Sequence, residues 1–419
     1  VRLSRSVLQR GVNVAAFLVP GFALWLPSGY SYGALALLLL AILSLPQWLG
    51  KPVPRHTVGL ALAITLMALV LLLDFDPSSG SLKALDRPIK YLAALPCLLM
   101  LAQWAPTCKA VWRGVAVGAW GAGCVGAWQV WGQGLERAAG HTNEIQYGNL
   151  ALCLGVMCLI GLVCLWARWR PTERWALAGG VFMGLMASVL SQSRGGWLAL
   201  LLLAPVLLWL ALRWLPTVRV WRASGALLLA VLLLGGAFHD NLRQRTALAM
   251  EEVNAYVDTG EAHTSIGQRL AHWQLAWRLG TERPVWGWGS EGYEREKRSR
   301  AEHGEVSAFV TQFSHAHNEL LDTFARRGGV GVLALLLFYG VPLAVFWPSR
   351  RRLERLATPE AREQDLAVRL VGVCLVLSYI GFGFTQVFFA HNSGNLFYLF
   401  MLAILSAMLV TPGAARSQA

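Results

Sequence analysis

Apolar residues in this chain come in long unbroken runs, not in the alternation of a strand or the narrow stripe of a water-soluble helix. Twelve runs stand out, near 11–28, 33–49, 57–75, 90–106, 111–132, 148–168, 174–192, 195–215, 222–238, 329–347, 366–389 and 394–412. A run of about 17–25 residues is the length needed to cross a hydrocarbon core of roughly 30 Å. Inside lipid only a helix satisfies its backbone without neighbouring strands, and nothing here has barrel alternation. The pattern predicts an all-α polytopic membrane protein with about twelve transmembrane helices. Nine lie in residues 1–238 and three in 329–419, and one large outer loop, 239–328, separates them. No internal repeat or low-complexity linker interrupts this organisation.

Composition agrees: 56% of the 419 residues are hydrophobic, 14% are charged, and the mean hydropathy is +0.49. Arg2, Arg5 and Arg10 precede a first run of span length with no small-residue cleavage site after it, so that run is expected to be a span and not a leader. With the N-terminus in the cytoplasm, 20 of the 36 Lys and Arg residues fall on cytoplasmic segments. Of the other 16, 11 lie in the long loop, leaving 5 in short outer loops. Long loops cross largely regardless of charge, so 20 against 5 is the comparison that sets orientation. Both termini are expected inside and the long loop outside. The formal charge of +13 is thus spent on short cytoplasmic loops, and no nucleic-acid partner is expected. All seven cysteines fall in spans or on the cytoplasmic side, so no disulfide framework or zinc spacing is expected.

Titratable chemistry gathers at the outer face. The loop ends in FSHAHNELLD, Phe313 to Asp322, followed by Arg326–Arg327 and the tenth span. It also holds SIGQRLAHWQLAWRLG, Ser265 to Gly280. There Ser265 and Gln268 have capping-box spacing, Leu270, Trp273 and Trp277 recur on one helical face, and Gly280 marks a stop. Arg269 sits in the first turns. A third element is SQSRGGW, which pins Arg194 in a tight outer turn where an isolated arginine either snorkels to headgroups or meets an anion. Arg87 and Lys90 before the fourth span could contact a phosphate or a headgroup. His141 and Asn143 before the sixth could bind sugar or simply be polar loop residues. The interfacial tryptophans, Trp273, Trp277, Trp286 and Trp288, suit anchoring in headgroups or stacking on sugars.

Three formal motifs are weighed against plainer readings. Asp74-Phe75-Asp76 has the DxD pattern of metal-dependent glycosyl transfer, but two acids at a helix exit are common. His315-Ala-His317 invites a metal, yet residues two apart on a helix diverge in direction. Gly287-Trp-Gly289-Ser-Glu-Gly292 spells GxGxxG without the preceding strand that a dinucleotide site requires. No metal and no cofactor is expected.

Together SRGG after a span, an arginine in a loop helix, GWGSEGY, and HNELLDTFARRGGVG leading into a span resemble the O-antigen ligase and polymerase superfamily. The motifs cover roughly 140–345, and twelve spans with one large late loop look most like the O-antigen ligase of lipopolysaccharide assembly. The resemblance implies a GT-C-like architecture in the bacterial inner membrane with the site facing the periplasm. It implies a donor polysaccharide on undecaprenyl pyrophosphate, a lipid A–core acceptor, and a direct inverting transfer without metal. Arg194, Arg269 and His317 fall on the family's functional positions. Arginine forks suit a departing pyrophosphate, and histidine suits taking a proton from a sugar hydroxyl. If Ser314 caps a short helix, the dipole would keep His317 neutral, with Asn318 or Glu319 orienting the ring or the sugar. A polymerase joining repeat units, a transferase acting on protein hydroxyls, and a transporter are the alternatives. The transporter fits least, because few charges lie at mid-membrane depth.

Overall fold

A computed structural model of the protein describes residues 3–75, 82–237 and 264–410. Each of the twelve expected apolar segments is occupied by a helix: α1 Arg5–Gly21, α2 Gly29–Leu43, α3 Arg55–Leu72, α4 Asp86–Gln103, α5 Cys108–Ala127, α6 Glu144–Cys164, α7 Pro171–Ser191, α8 Arg194–Trp214, α9 Thr217–Ala237, α12 Glu319–Phe346, α13 Pro359–Gly383 and α14 Asn392–Ala407. Two further helices, α10 Ser265–Glu282 and α11 Gly289–Glu302, belong to the outer loop, and the described residues contain no strand. Among the described residues, seven helices (α3, α6, α7, α8, α9, α12 and α13) are long and apolar enough to cross a membrane. The 15 residues of α2 and 16 of α14 fall short of a full crossing at 1.5 Å per residue. The chain is an all-α polytopic membrane protein. The expected outer-loop residues 239–263, and Asp76 of the DxD pattern, lie outside the described residues.

The bundle is built around α13, 94% of whose apolar window is buried, with α6 beside it at 78%. By contrast α8 and α9, at 28% and 11%, line its flank. Small residues let backbones approach, the usual device where lipid offers no hydrophobic gain on helix contact. On α5 a Cβ at Gly118 would lie 2.1 Å from the carbonyl oxygen of Pro20 on α1, and on α7 one at Gly184 would lie 2.6 Å from that of Ala151 on α6. A cluster of aromatic rings, including Tyr91, Phe338, Tyr379, Phe389 and Tyr398, fills the space between α4, α12, α13 and α14.

Two features set the geometry above this bundle. α12 bends at Gly328, whose φ of 60° and ψ of −156° leave the helical region. Amides at the bend are satisfied by the 284–288 segment instead: Gly329 donates to Pro284 O at 2.7 Å and Val330 to Val285 O at 3.2 Å. Only glycine fits at Gly328, where a Cβ would sit 2.3 Å from the backbone of Val285. Gly287 and Gly328 thus serve a close backbone joint, since a Cβ at Gly287 would lie 2.3 Å from the backbone of Arg326, whereas Gly289 and Gly292 of the GxGxxG spacing take no part in it. The second feature is the end of α13. The apolar pattern carries this span to 389, but the helix stops at Gly383 and the chain runs through an irregular segment, 384–391, before α14. Thr385 and Gln386, which the sequence reading leaves inside the span, are therefore loop residues at the bundle's end.

Candidate active site at the outer face

FSHAHNELLD is not a helix that begins at Ser314. Asn318 caps α12, its Oδ1 accepting the amides of Leu320 and Leu321 at 3.1 Å each. His317, just before the cap, has φ 52°, a left-handed conformation that cannot continue a helix. Ser314 is a clamp point instead, its carbonyl oxygen accepting from the Arg326 guanidinium.

The strip 313–318 is gripped from two sides. On the α11 side, Lys297 donates to Phe313 O. The amide of Ala316 donates to Asp322 Oδ1 at 3.0 Å, and Arg326 donates to Asp322 Oδ2 at 3.0 Å and Glu294 Oε1 at 3.1 Å. The Arg326 guanidinium also lies 4.4 Å over the ring of Tyr293. On the other side is the 384–391 segment. His317 Nδ1 bonds Gln386 Oε1 at 3.1 Å, Asn318 Nδ2 donates to Phe384 O at 3.4 Å, and Glu319 Oε2 accepts from the amide of Phe389 at 3.0 Å.

Around His317 the structure gathers a histidine cluster that sequence spacing did not reveal. The rings of His315 and His317 are 4.5 Å apart, His272 and His317 5.7 Å, and His315 and His391 5.7 Å. His272 comes from α10, whose buried face is His272, Leu275, Ala276 and Leu279. Of the Leu270–Trp273–Trp277 stripe, Trp277 is 59% exposed while Leu270 and Trp273 are half-buried. The sequence reading treats these tryptophans as headgroup anchors or sugar platforms and does not single out His272 as the residue of this helix that meets His317. α10 is capped by Thr264, not Ser265, and runs past Gly280, where glycine is needed because Phe324 lies 2.3 Å from a would-be Cβ.

Burial is the leading influence on these rings. It pushes His317 down to about 3, with His315, Arg269 and His272 adding repulsion and the Gln386 bond opposing. His272 and His391 are each pushed down to about 4, again chiefly by burial. All three are therefore neutral at pH 7. His317 Nε2 has no hydrogen-bond partner among the described residues.

The other expected residues distribute as follows. Arg269 stands on α10 near enough to act on His317 electrostatically. Arg194 is the first residue of α8, and its neighbour Gly195 packs against Thr385, with a would-be Cβ 2.3 Å from the hydroxyl. Asn143 caps α6 and its Nδ2 donates to His391 Nδ1 at 3.4 Å, which brings it to the cluster. His141 is exposed at the entry to that helix. Lys90 is engaged by Asp86 and Asn392. Arg87 lines a cavity of about 850 Å³ together with His315, Ser314, Arg295 and Arg298; it opens beside His315, while His317, Arg194 and Arg269 are not in its lining. Asp74 is held by Arg327 and by Ser290 Oγ, the latter at 2.9 Å. Among the described residues no group of three or more His, Cys, Asp or Glu side chains is arranged to hold a metal ion. Gln386 and His391, which sequence reasoning missed, were signalled only by polar residues interrupting GFGFTQVFFAHNSGN between two spans.

These features define a polytopic helical membrane protein that carries a buried neutral histidine, with Arg269 near it, above its transmembrane bundle. Residues 179–337 match the family model described as O-Antigen ligase. A protein of Haemophilus influenzae, described as uncharacterized, is 24% identical over 376 residues, which span 89% of this chain and 92% of that protein.

Proposed function

We propose that the protein is an inverting, metal-independent glycosyltransferase of the bacterial inner membrane. It moves O-antigen polysaccharide from undecaprenyl pyrophosphate to a sugar hydroxyl of lipid A–core at the periplasmic face. The observation that carries this reading is His317: buried, neutral, with Nε2 unpartnered and Arg269 alongside. In the reaction the acceptor oxygen bonds to the anomeric carbon and its proton passes to Nε2. The electron pair of the broken C–O bond leaves with the lipid pyrophosphate. Arg194 and Arg269 neutralise that charge, which is where electrostatic stabilisation is most effective. The cavity beside His315 and Arg87, with Arg295 and Arg298 in its lining, offers room for a substrate next to the strip. Asn318 and Glu319 hold the strip to the 384–391 segment. Arg87, Lys90, His141 and Asn143 lie on the approach to it as substrate contacts. Twelve spans in a GT-C-like arrangement, with both termini cytoplasmic, complete the proposal, and the 20-to-5 charge bias supports that orientation.

The test is the lipopolysaccharide profile of cells lacking the protein. Loss of capped lipopolysaccharide with full-length polymer accumulating on its lipid carrier is the expected result. Loss of the polymer itself would identify a polymerase, and an unchanged profile would remove both.

A further inference from the structure

The bond between His317 and Gln386 carries information about which ring nitrogen holds the proton. An amide side chain can be turned either way, but here its orientation is fixed by a second contact. Gln386 Oε1 also accepts the backbone amide of Val387 at 3.1 Å, and a backbone N–H can only donate. The atom facing His317 Nδ1 is therefore the oxygen, so Nδ1 must carry the hydrogen. Both side chains are buried, His317 at 8% exposure and Gln386 at 3%, so water does not compete for this bond.

The structure assigns Gln386 as the positioning residue of His317: its carbonyl oxygen holds the Nδ1–H tautomer and leaves the Nε2 lone pair as the group that accepts a proton. His317 has a left-handed backbone, φ 52°, just before the cap of α12, and its ring meets the 384–391 segment through Gln386. A carboxylate in the same position would favour the charged imidazolium. A neutral amide orients the ring without doing so, which suits a base flanked by Arg269, His272 and His315. This inference rests on the transferase reading only for its kinetic consequence.

The experiment uses the full-length protein in nanodiscs with ring-¹⁵N histidine, the His317 signals being identified by their loss in His317→Ala. In the wild type His317 should show a protonated Nδ1 and an unprotonated Nε2. Gln386→Leu should lose that preference and lower kcat about 10²–10⁴-fold, with the donor KM unchanged. Gln386→Glu keeps an acceptor for both donors; it should retain the tautomer and move the acid limb of the pH–rate profile upward, which a merely structural role would not do. A wild-type ring protonated at Nε2, or a Gln386→Leu variant turning over at the wild-type rate, overturns the assignment. Where Gln386→Leu fails to fold, an unmoved acid limb in Gln386→Glu overturns it. Wild-type protein that transfers nothing from a lipid-linked glycan sinks the transferase reading instead, and the ¹⁵N spectrum still reads the bond.

Discussion

Asp322 and Arg326 stand one helical turn apart on α12, both buried, and Asp322 uses its two oxygens for different tasks: Oδ2 accepts from the Arg326 guanidinium at 3.0 Å and Oδ1 from the amide of Ala316 at 3.0 Å. One carboxylate thus couples the ion pair to the strip that carries His317. Removing it leaves a buried guanidinium with less compensation, an error that typically costs about 3–5 kcal/mol. Asp322→Ala should lower both the melting temperature in detergent and the transfer rate. A variant that melts like the wild type would show that the clamp contributes little.

His317 and the arginines should fail differently. His317→Ala should cut transfer about 10²–10⁴-fold while donor-lipid binding stays near normal, because a base acts on the acceptor's proton. Arg194→Ala and Arg269→Ala should weaken donor binding as well as turnover, and lysine at either position should rescue only in part, since it keeps the charge and loses the fork. Affinity and rate, measured on variants shown to be inserted, separate the two patterns. Near-normal transfer by His317→Ala would remove the base.

The cluster also makes stability depend on pH. His272 and His391 titrate at about 4 in the folded protein and near 6.5 when unfolded, so as pH falls the unfolded chain takes up protons first. Their contribution is fully present above 6.5 and is lost progressively between about 6.5 and 4. The protein should melt at a lower temperature at pH 5 than at pH 7.5. His272→Phe should shrink that difference, because both ring nitrogens of His272 are buried without partners and an apolar ring forfeits no bond. An unchanged pH dependence in that variant would exclude His272 as a source.

Much of this architecture could be read from the chain because apolar runs of span length have few other uses. The α12 entrance was legible too, since His317, Asn318 and the acids crowd into ten residues. What the chain did not disclose were contacts made across it. Gln386 meets His317 from 69 positions away. His272 turns inward on α10 to meet His317, and a short amphipathic pattern does not say which side of such a helix meets protein. Asp74, whose DxD spacing is weighed against the common occurrence of two acids at a helix exit, partners Arg327 and Ser290.

Transfer should persist in EDTA. Asp74 Oδ2 already accepts from Arg327 and Ser290, and arginines, not paired acids, are proposed to meet the pyrophosphate. Activity lost under chelation and restored by Mg²⁺ or Mn²⁺ would return Asp74 to a metal role.

A cysteine at Gln274, an exposed position on α10, should be labelled by an impermeant thiol reagent applied from the periplasm, and one at Arg351 should not. Labelling of Arg351→Cys from that side would invert the topology and move the site to the wrong face.

The bond from His317 to Gln386 has a bearing on how chains built like this one could be dissected. The family-matched stretch, 179–337, contains Arg194, Arg269 and His317 but ends before the segment that grips the ring. Asn143 and Asp74, which hold His391 and Arg327, lie before it. Excised as a fragment or grafted into another bundle, the matched stretch would bring its histidine without the groups that orient it. Chimaeras intended to exchange specificity should therefore join chains outside residues 74–391, or carry the matching 384–391 segment along with the loop.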